Sequence, residues 1–281
     1  MLFAFMNILG LIISVDAQVP TEKTLLWQVS GKGIAQPSFL FGTIHLVCPD
    51  DLIMPAIVSE KFSTTMELFL ELDLDDPDMM VQMMKGMQMK DTTIDQLLGE
   101  RYEEVSSLFQ KFTGMPLSMM KSTKPFMLMS LIYPSLLGCA PASWETEFQK
   151  LANEKNMQIK GLEKLEEQMA VFEKIPYKIQ SDMLANALLE ADSTKLQFTQ
   201  MMALYKEKDI SKLNIDLDDN LTDYEGVLLN ERNHNWIPII GEQAKKMPTF
   251  FAFGAAHLGG EKGIINLLRK SGFSVKPIYY K

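Results

Sequence analysis

Histidine is scarce in this chain, with three residues in 281, and cysteine occurs only twice. No histidine- or cysteine-rich metal tract can be built from so few, and any two histidines in matching positions stand out. Positive charge is also short: 27 Lys and Arg against 36 Asp and Glu leave a net charge of −9 and a pI near 5.0. Phosphate binding needs a basic face, so a nucleic-acid partner is disfavoured, while small molecules, peptides and proteins remain open. The H-E-x-x-H spacing of local zinc-protease sites is missing, and so is a G-x-S-x-G elbow for a serine nucleophile. The most apolar internal segment, from Lys124 to Tyr133, is too short to cross a membrane, which takes roughly 20 residues.

Cys48 and Cys139 admit two readings. In an oxidising compartment they are a candidate bridge; in a reducing one they are ordinary buried thiols. A bridge would tie the loop after His45 to the middle of the chain and disfavour a cysteine nucleophile. The first residues, Met1 to Val15, are apolar apart from Asn7 and Ser14 and lead to small residues at Ala17. This pattern predicts a secretory signal over residues 1–17 without a basic n-region, and export to the periplasm, cell envelope or exterior. The competing reading is an uncleaved anchor, for which the run is short.

With 47% hydrophobic residues, the remaining chain can bury a sizeable core, and residues 18–281 are expected to form one domain. Within it one pattern occurs twice. Phe39 to Leu46 and Phe251 to Leu258 both read F-x-F-G-x-x-H-L, placing His45 and His257 three residues after Gly42 and Gly254. Two buried strands that each end in glycine and a core histidine would give the same letters. The functional alternative is that each glycine lets the backbone turn sharply, so that the histidine projects from a strand end.

Along the chain, Leu25 to Ser30 and Ser38 to Phe41 read as a hairpin around Gly31, Gly33 and Pro37. A helix follows Pro55. Met66 to Asp73 alternates as a strand with Glu67, Phe69, Glu71 and Asp73 on one side. It is either a half-buried edge strand with an acidic outer face or a strand whose end presents Glu71 to a ligand. Residues 78–173 are mainly helical, with Met79, Met80, Met83, Met84 and Met87 forming a stripe that reads as core or interface, or as an adaptable groove. Ser143 is a plausible N-cap, Met157 to Lys160 a short strand, and Glu163 sits at the strand-to-helix junction after Gly161.

Residues 181–208 and 221–246 read as long helices, the second kinked or split at Pro238. The acidic stretch 214–219 lacks the central glycine and final glutamate of a calcium loop. Glu231, Arg232 and Asn233 are consecutive on a helix and cannot all share a face. A final strand, Thr249 to Phe253, leads through Gly254 and His257 to a helix at Ile264 to Lys270 and a closing strand. That helix start, directed at His257, would favour an anion, though an ordinary turn would look the same.

Two histidines on matching strand ends, with carboxylates on neighbouring strand ends, make a candidate site for Zn²⁺, Mn²⁺, Co²⁺ or Fe²⁺. Together the paired G-x-x-H motifs, Glu71 in its apolar strand, Glu163 with Glu167 and Gln168, and Glu231, Arg232 and Asn233 resemble the TraB/PrgY/GumN family from about Leu25 to Ile278. The resemblance implies a fold related to the erythromycin esterase and ChaN-like superfamily. Animal relatives, the TIKI proteins, are described as metal-dependent proteases that trim the N-terminus of a secreted signalling protein and depend on the paired histidines and a glutamate. Bacterial members are linked to the shutdown of peptide pheromones. No C-terminal membrane region of that type follows Ile278, so a GumN-like form is expected.

The expectation is therefore an α/β (α+β) domain with a central mixed β-sheet built from N- and C-terminal segments and covered by helices from the middle. As a metal-dependent hydrolase of peptides or proteins it would hold Mn, Co or Zn through His45, Glu71 and His257. Glu163 or Glu231 would serve as base, and Arg232 and Asn233 would hold the carboxylates or substrate. A non-catalytic peptide- or lipid-binding envelope protein of the same fold is the alternative, favoured by a dry, uncharged cleft.

Overall fold

The computed structural model describes residues 19–213 and 219–281, so the signal reading at residues 1–17 and most of the acidic stretch 214–219 lie outside the described residues. The elements run β1 (Leu26–Ser30), β2 (Ser38–Thr43), α1 (Ala56–Ser63), β3 (Glu67–Leu70), α2 (Met79–Gly86), α3 (Ile94–Leu98), α4 (Tyr102–Thr113), α5 (Pro125–Leu137) and α6 (Trp144–Glu154). Then come β4 (Gln158–Gly161), α7 (Leu165–Glu173), α8 (Tyr177–Leu189), α9 (Ala191–Glu207), α10 (Glu231–Lys246), β5 (Thr249–Gly254), α11 (Ile264–Lys270) and β6 (Ser274–Ile278).

The strands form a mixed six-stranded sheet in the order β4-β3-β5-β2-β1-β6. β1 alone among them runs against its neighbours β2 and β6; β2, β5, β3 and β4 are mutually parallel. Parallel strands are normally covered on both faces, and every residue of β2 and β3 is buried. One face carries an aromatic cluster in which Phe148 of α6 sits 5.5 Å from Phe41 and 5.0 Å from Phe250, with Phe62 of α1 against the latter. The other packs Trp236 of α10 on Phe253. Each such ring removed from water contributes roughly 1.5–3 kcal/mol. A second apolar cluster lies among α3, α4, α5 and α8, with Phe109, Leu128, Ile132 and Leu184 fully buried.

Several expectations are corrected. β3 is an interior strand between β4 and β5, so it has no solvated acidic face: Glu67 and Glu71 are both buried. Residues 181–208 do not form one helix, because the chain breaks at Glu190 between α8 and α9. Pro238 does not split α10, which runs through it; upstream the chain is a 3-10 turn and then a π-turn at Gly226–Asn230. The methionine stripe is not core, since α2 buries none of its residues and Met80 and Met84 are exposed. Of the two cysteine readings the bridge holds: Cys48 and Cys139 are bonded, with Cα atoms 5.8 Å apart.

Candidate active site

The two motifs lie on adjacent strands, β2 and β5, at the carboxyl end of the parallel sheet where ligands bind in open α/β folds. Neither motif glycine has a positive φ, so the expected conformational role is wrong. Gly42 is required for packing space, and Gly254 keeps a gap open. A Cβ on Gly42 would meet Leu258 Cδ1 at 2.6 Å and Ala255 Cβ at 2.9 Å, so the first motif packs directly on the second. A Cβ on Gly254 would lie 3.3 Å from Glu71 Oε1 and 3.6 Å from His45 Nε2 and from His257 Cδ2. The missing side chain therefore leaves a cradle between the three proposed metal ligands.

His257 is buried, and its tautomer follows from its partners. Asn233 Nδ2 donates to the Lys262 carbonyl, which turns Asn233 Oδ1 toward His257 Nδ1 at 2.6 Å. Nδ1 thus carries the proton and Nε2 the lone pair. Burial, helped by the charges of Arg232 and His45 and opposed by Glu71, lowers its pKa to about 3, so the ring is neutral at pH 7. His45 stands differently. Its Nδ1 donates to Glu145 Oε1 at 2.9 Å, and Glu145 is itself held by the Thr43 and Ser143 hydroxyls. The protein around the ring disfavours its charge, but the Glu145 hydrogen bond and the charges of Glu71 and Glu145 outweigh this and raise the pKa to about 9.

Both rings direct Nε2 at one atom, Glu71 Oε1, from 3.7 and 3.8 Å. Ligands about 2.0–2.2 Å from a tetrahedral ion stand roughly 3.3–3.6 Å from one another, so these separations are slightly wide of a closed site. Glu71 Oε1 also accepts the Gly254 N–H at 2.8 Å. Burial alone would raise the Glu71 carboxyl, but Arg232, both histidines and that N–H hold it far below the usual carboxylate range.

Arg232 bridges two carboxylates: Nη2 reaches Glu71 Oε2 at 2.5 Å and Glu163 Oε1 at 2.7 Å, and Nε reaches Glu163 Oε2 at 3.1 Å. Its Nη1 faces His257 Nε2 at 3.2 Å and donates to the Leu228 carbonyl in the π-turn. The guanidinium lies over Trp236, 4.8 Å from the ring centroid. Glu163 comes out opposite to Glu71: burial and the Glu71 charge push its carboxyl up, against Arg232.

The structure thus brings together His45, Glu71, Glu163, Arg232, Asn233 and His257. It leaves Glu231 outside, because the rotation of about 100° per residue along α10 turns its side chain to solvent, 57% exposed and paired with Lys174 at 2.7 Å. Glu145 was not anticipated. Its letters read as the start of α6, where Ser143 does cap the helix through Thr146 N–H, and nothing in the sequence separates a capping-turn glutamate from one facing a distant strand.

A divalent cation fits the donor chemistry and the space at Gly254: each imidazole has its Nδ1–H anchored by an acceptor, as metal-binding histidines do. Among the described residues, however, no three His, Cys, Asp or Glu side chains already close around a common point, and the Arg232–His257 contact occupies one lone pair. The described residues also contain no helix long and apolar enough to cross a membrane. Neither a curated protein nor a solved structure matches the chain. The model of one family does match, over residues 25–277, and with that coverage the chain belongs to the TraB/PrgY/gumN family.

Proposed function

We propose that the protein is an exported, metal-dependent hydrolase of peptides or proteins, with the cation held by His45 Nε2, His257 Nε2 and Glu71. The observation that carries this reading is the convergence of two histidine Nε2 atoms, each ring held at Nδ1 by an acceptor, on a single carboxylate oxygen beside the side-chain-free Gly254; a cation seated there displaces the Nε2 proton of His45. A cation in that cradle supplies Lewis acidity toward a carbonyl oxygen and toward water. Seating it requires His257 Nε2 to give up its contact with Arg232, whose two carboxylate contacts remain. Glu163, with its raised carboxyl pKa, takes the proton of the attacking water and returns it to the leaving amine nitrogen. Arg232 keeps Glu163 and Glu71 in register, and Asn233 and Glu145 orient the two rings. Glu231, exposed, has no part. The charged site counts against a purely apolar binding protein, and the disulfide fits the oxidising surroundings of an exported chain.

The test uses protein stripped of metal and titrated calorimetrically with Mn²⁺, Co²⁺ and Zn²⁺, while cleavage of a peptide mixture is followed by mass spectrometry. One equivalent should bind to the wild type, and His45→Ala and His257→Ala should weaken binding at least tenfold and abolish cleavage. Unchanged binding in both variants would remove the proposed site.

A further inference from the structure

A cavity of about 680 Å³ lies at the carboxyl ends of β3 and β4, walled by the loop after β3, the start of α2, the turn after β4 and Ile239 of α10. Glu163, which pairs with Arg232, belongs to its wall, so the cavity borders the histidine–carboxylate cluster. One side is β4 itself, an edge of the sheet. The Leu162 N–H bonds the Leu70 carbonyl, which fixes the parity of the ladder: Ile159 and Gly161 turn their N–H and C=O groups away from β3. Among the described residues no backbone hydrogen bond meets those outward groups. An unpaired edge of this kind is a template for another extended chain.

The charge of the cavity indicates which chain. Asp73, Asp76, Glu166 and Glu167 line it, and of its two lysines Lys160 is tied to Glu67 at 2.9 Å. Asp73 and Asp76 accept backbone N–H groups from Asp75 and Asp78, and among the described residues no cation pairs with them. Leu72, Met79, Leu165 and Ile239 give the same space an apolar lining suited to a long aliphatic stem.

We infer that β4 and this cavity form a substrate track: a peptide adds as an extended strand along β4 and seats a lysine or arginine side chain among Asp73, Asp76 and Glu166. Its backbone then leads toward Glu163. The inference rests on the hydrolase reading for the bond cleavage at Glu163, but binding along the track does not.

Two fluorescein-labelled decapeptides of β-branched and polar residues, one with a central lysine and one with glutamate there, separate the cases. Fluorescence anisotropy is read on metal-free protein and cleavage on metal-loaded protein. The lysine peptide should bind at least tenfold tighter than the glutamate peptide, and the triple variant Asp73→Lys, Asp76→Lys, Glu166→Lys should abolish or invert that preference. N-methylation at alternate residues in one register should weaken binding tenfold, and in the other register not at all. Equal binding of the two peptides, no binding of either, a preference untouched by the triple variant, or insensitivity to N-methylation overturns the track. Selective binding without cleavage under any metal would remove the hydrolase reading and leave the track; cleavage without charge preference would do the reverse.

Discussion

His45 and His257 hold the seventh place of the same eight-letter pattern, just past the ends of adjacent parallel strands, yet one side chain is 61% exposed and the other 4%. The difference comes from what the rest of the chain lays over each strand end. Over His257 comes α10, whose Asn233 fixes Nδ1, whose Trp236 ring lies 4.6 Å from the imidazole and whose Arg232 faces Nε2. Over His45, among the described residues, comes the start of α6 with Glu145, and the disulfide holds that loop to the segment just before α6. The second motif is therefore the anchored half of the site and the first its solvent-facing half. A motif specifies strand, turn and histidine; the charge and accessibility of the histidine are set by residues far away in the sequence.

The largest effect expected from this contrast is at Arg232. Its side chain is 11% exposed, and it is the shared cation between Glu71 and Glu163, themselves 7% and 6% exposed. Removing one partner of a buried charge group leaves the rest unpaired, so Arg232→Met should cost about 3–5 kcal/mol in urea unfolding. On the open half, Glu145→Gln keeps an acceptor for the Thr43 hydroxyl and should cost about 1 kcal/mol. Equal costs for the two variants would show that the halves do not differ in anchoring.

How much of this was legible depends on whether a residue's partner is local. The hairpin of β1 and β2, the cap at Ser143, the short strand β4 and the βα unit around His257 are written in alternation, turn residues and capping letters, and they stand within a few residues of where they were expected. Glu71 and Glu163 were found as strand-end carboxylates. What could not be read is pairing across the chain. Glu145 meets His45 across 100 positions, Arg232 reaches Glu71 across 161, and the edge-strand reading of β3 stays open in the sequence because no letter announces that β4 and β5 arrive on its two sides. Glu231 was misplaced for the opposite reason. It shares a motif with Arg232 and Asn233, and a helix turns consecutive residues about 100° apart, so only two of the three can face the sheet.

The motif glycines sharpen the comparison at a smaller scale. Gly42→Ala forces a methyl into Leu258 and the Ala255 backbone, an overpacking expected to cost about 1–3 kcal/mol in thermal or urea unfolding. Gly254→Ala meets nothing closer than 3.3 Å and has an ordinary negative φ, so stability should change by less than about 1 kcal/mol. Its methyl fills the cradle instead, and calorimetric affinity for Mn²⁺, Co²⁺ or Zn²⁺ should fall at least tenfold. If Gly254→Ala binds metal as the wild type does, the space between the ligands is not where a cation sits.

The gentlest probe alters only protonation. In metal-free protein, ring resonances of the three histidines can be followed by NMR, with His234→Gln identifying the one outside the motifs. His45 should titrate near pH 9, because Glu145 and Glu71 stabilise its charge, whereas His257 should stay neutral until about pH 3. The two then tilt stability in opposite directions. The folded pKa of His45 lies above its ordinary value of 6.5, so its contribution is complete below pH 6.5 and disappears as pH rises through about 9. The folded pKa of His257 lies below that value: the unfolded chain takes up the proton first, so its contribution is complete above pH 6.5 and drains away as pH falls toward 3. In Asn233→Ala the Nδ1 acceptor is gone while the burial and the Arg232 donor facing Nε2 remain, so His257 should still resist protonation and keep its Nδ1–H tautomer, while that Nδ1–H proton exchanges faster with water. Overlapping titrations of His45 and His257 near their ordinary value would mean that the two halves share one environment, and the division into anchored and open sides would fall.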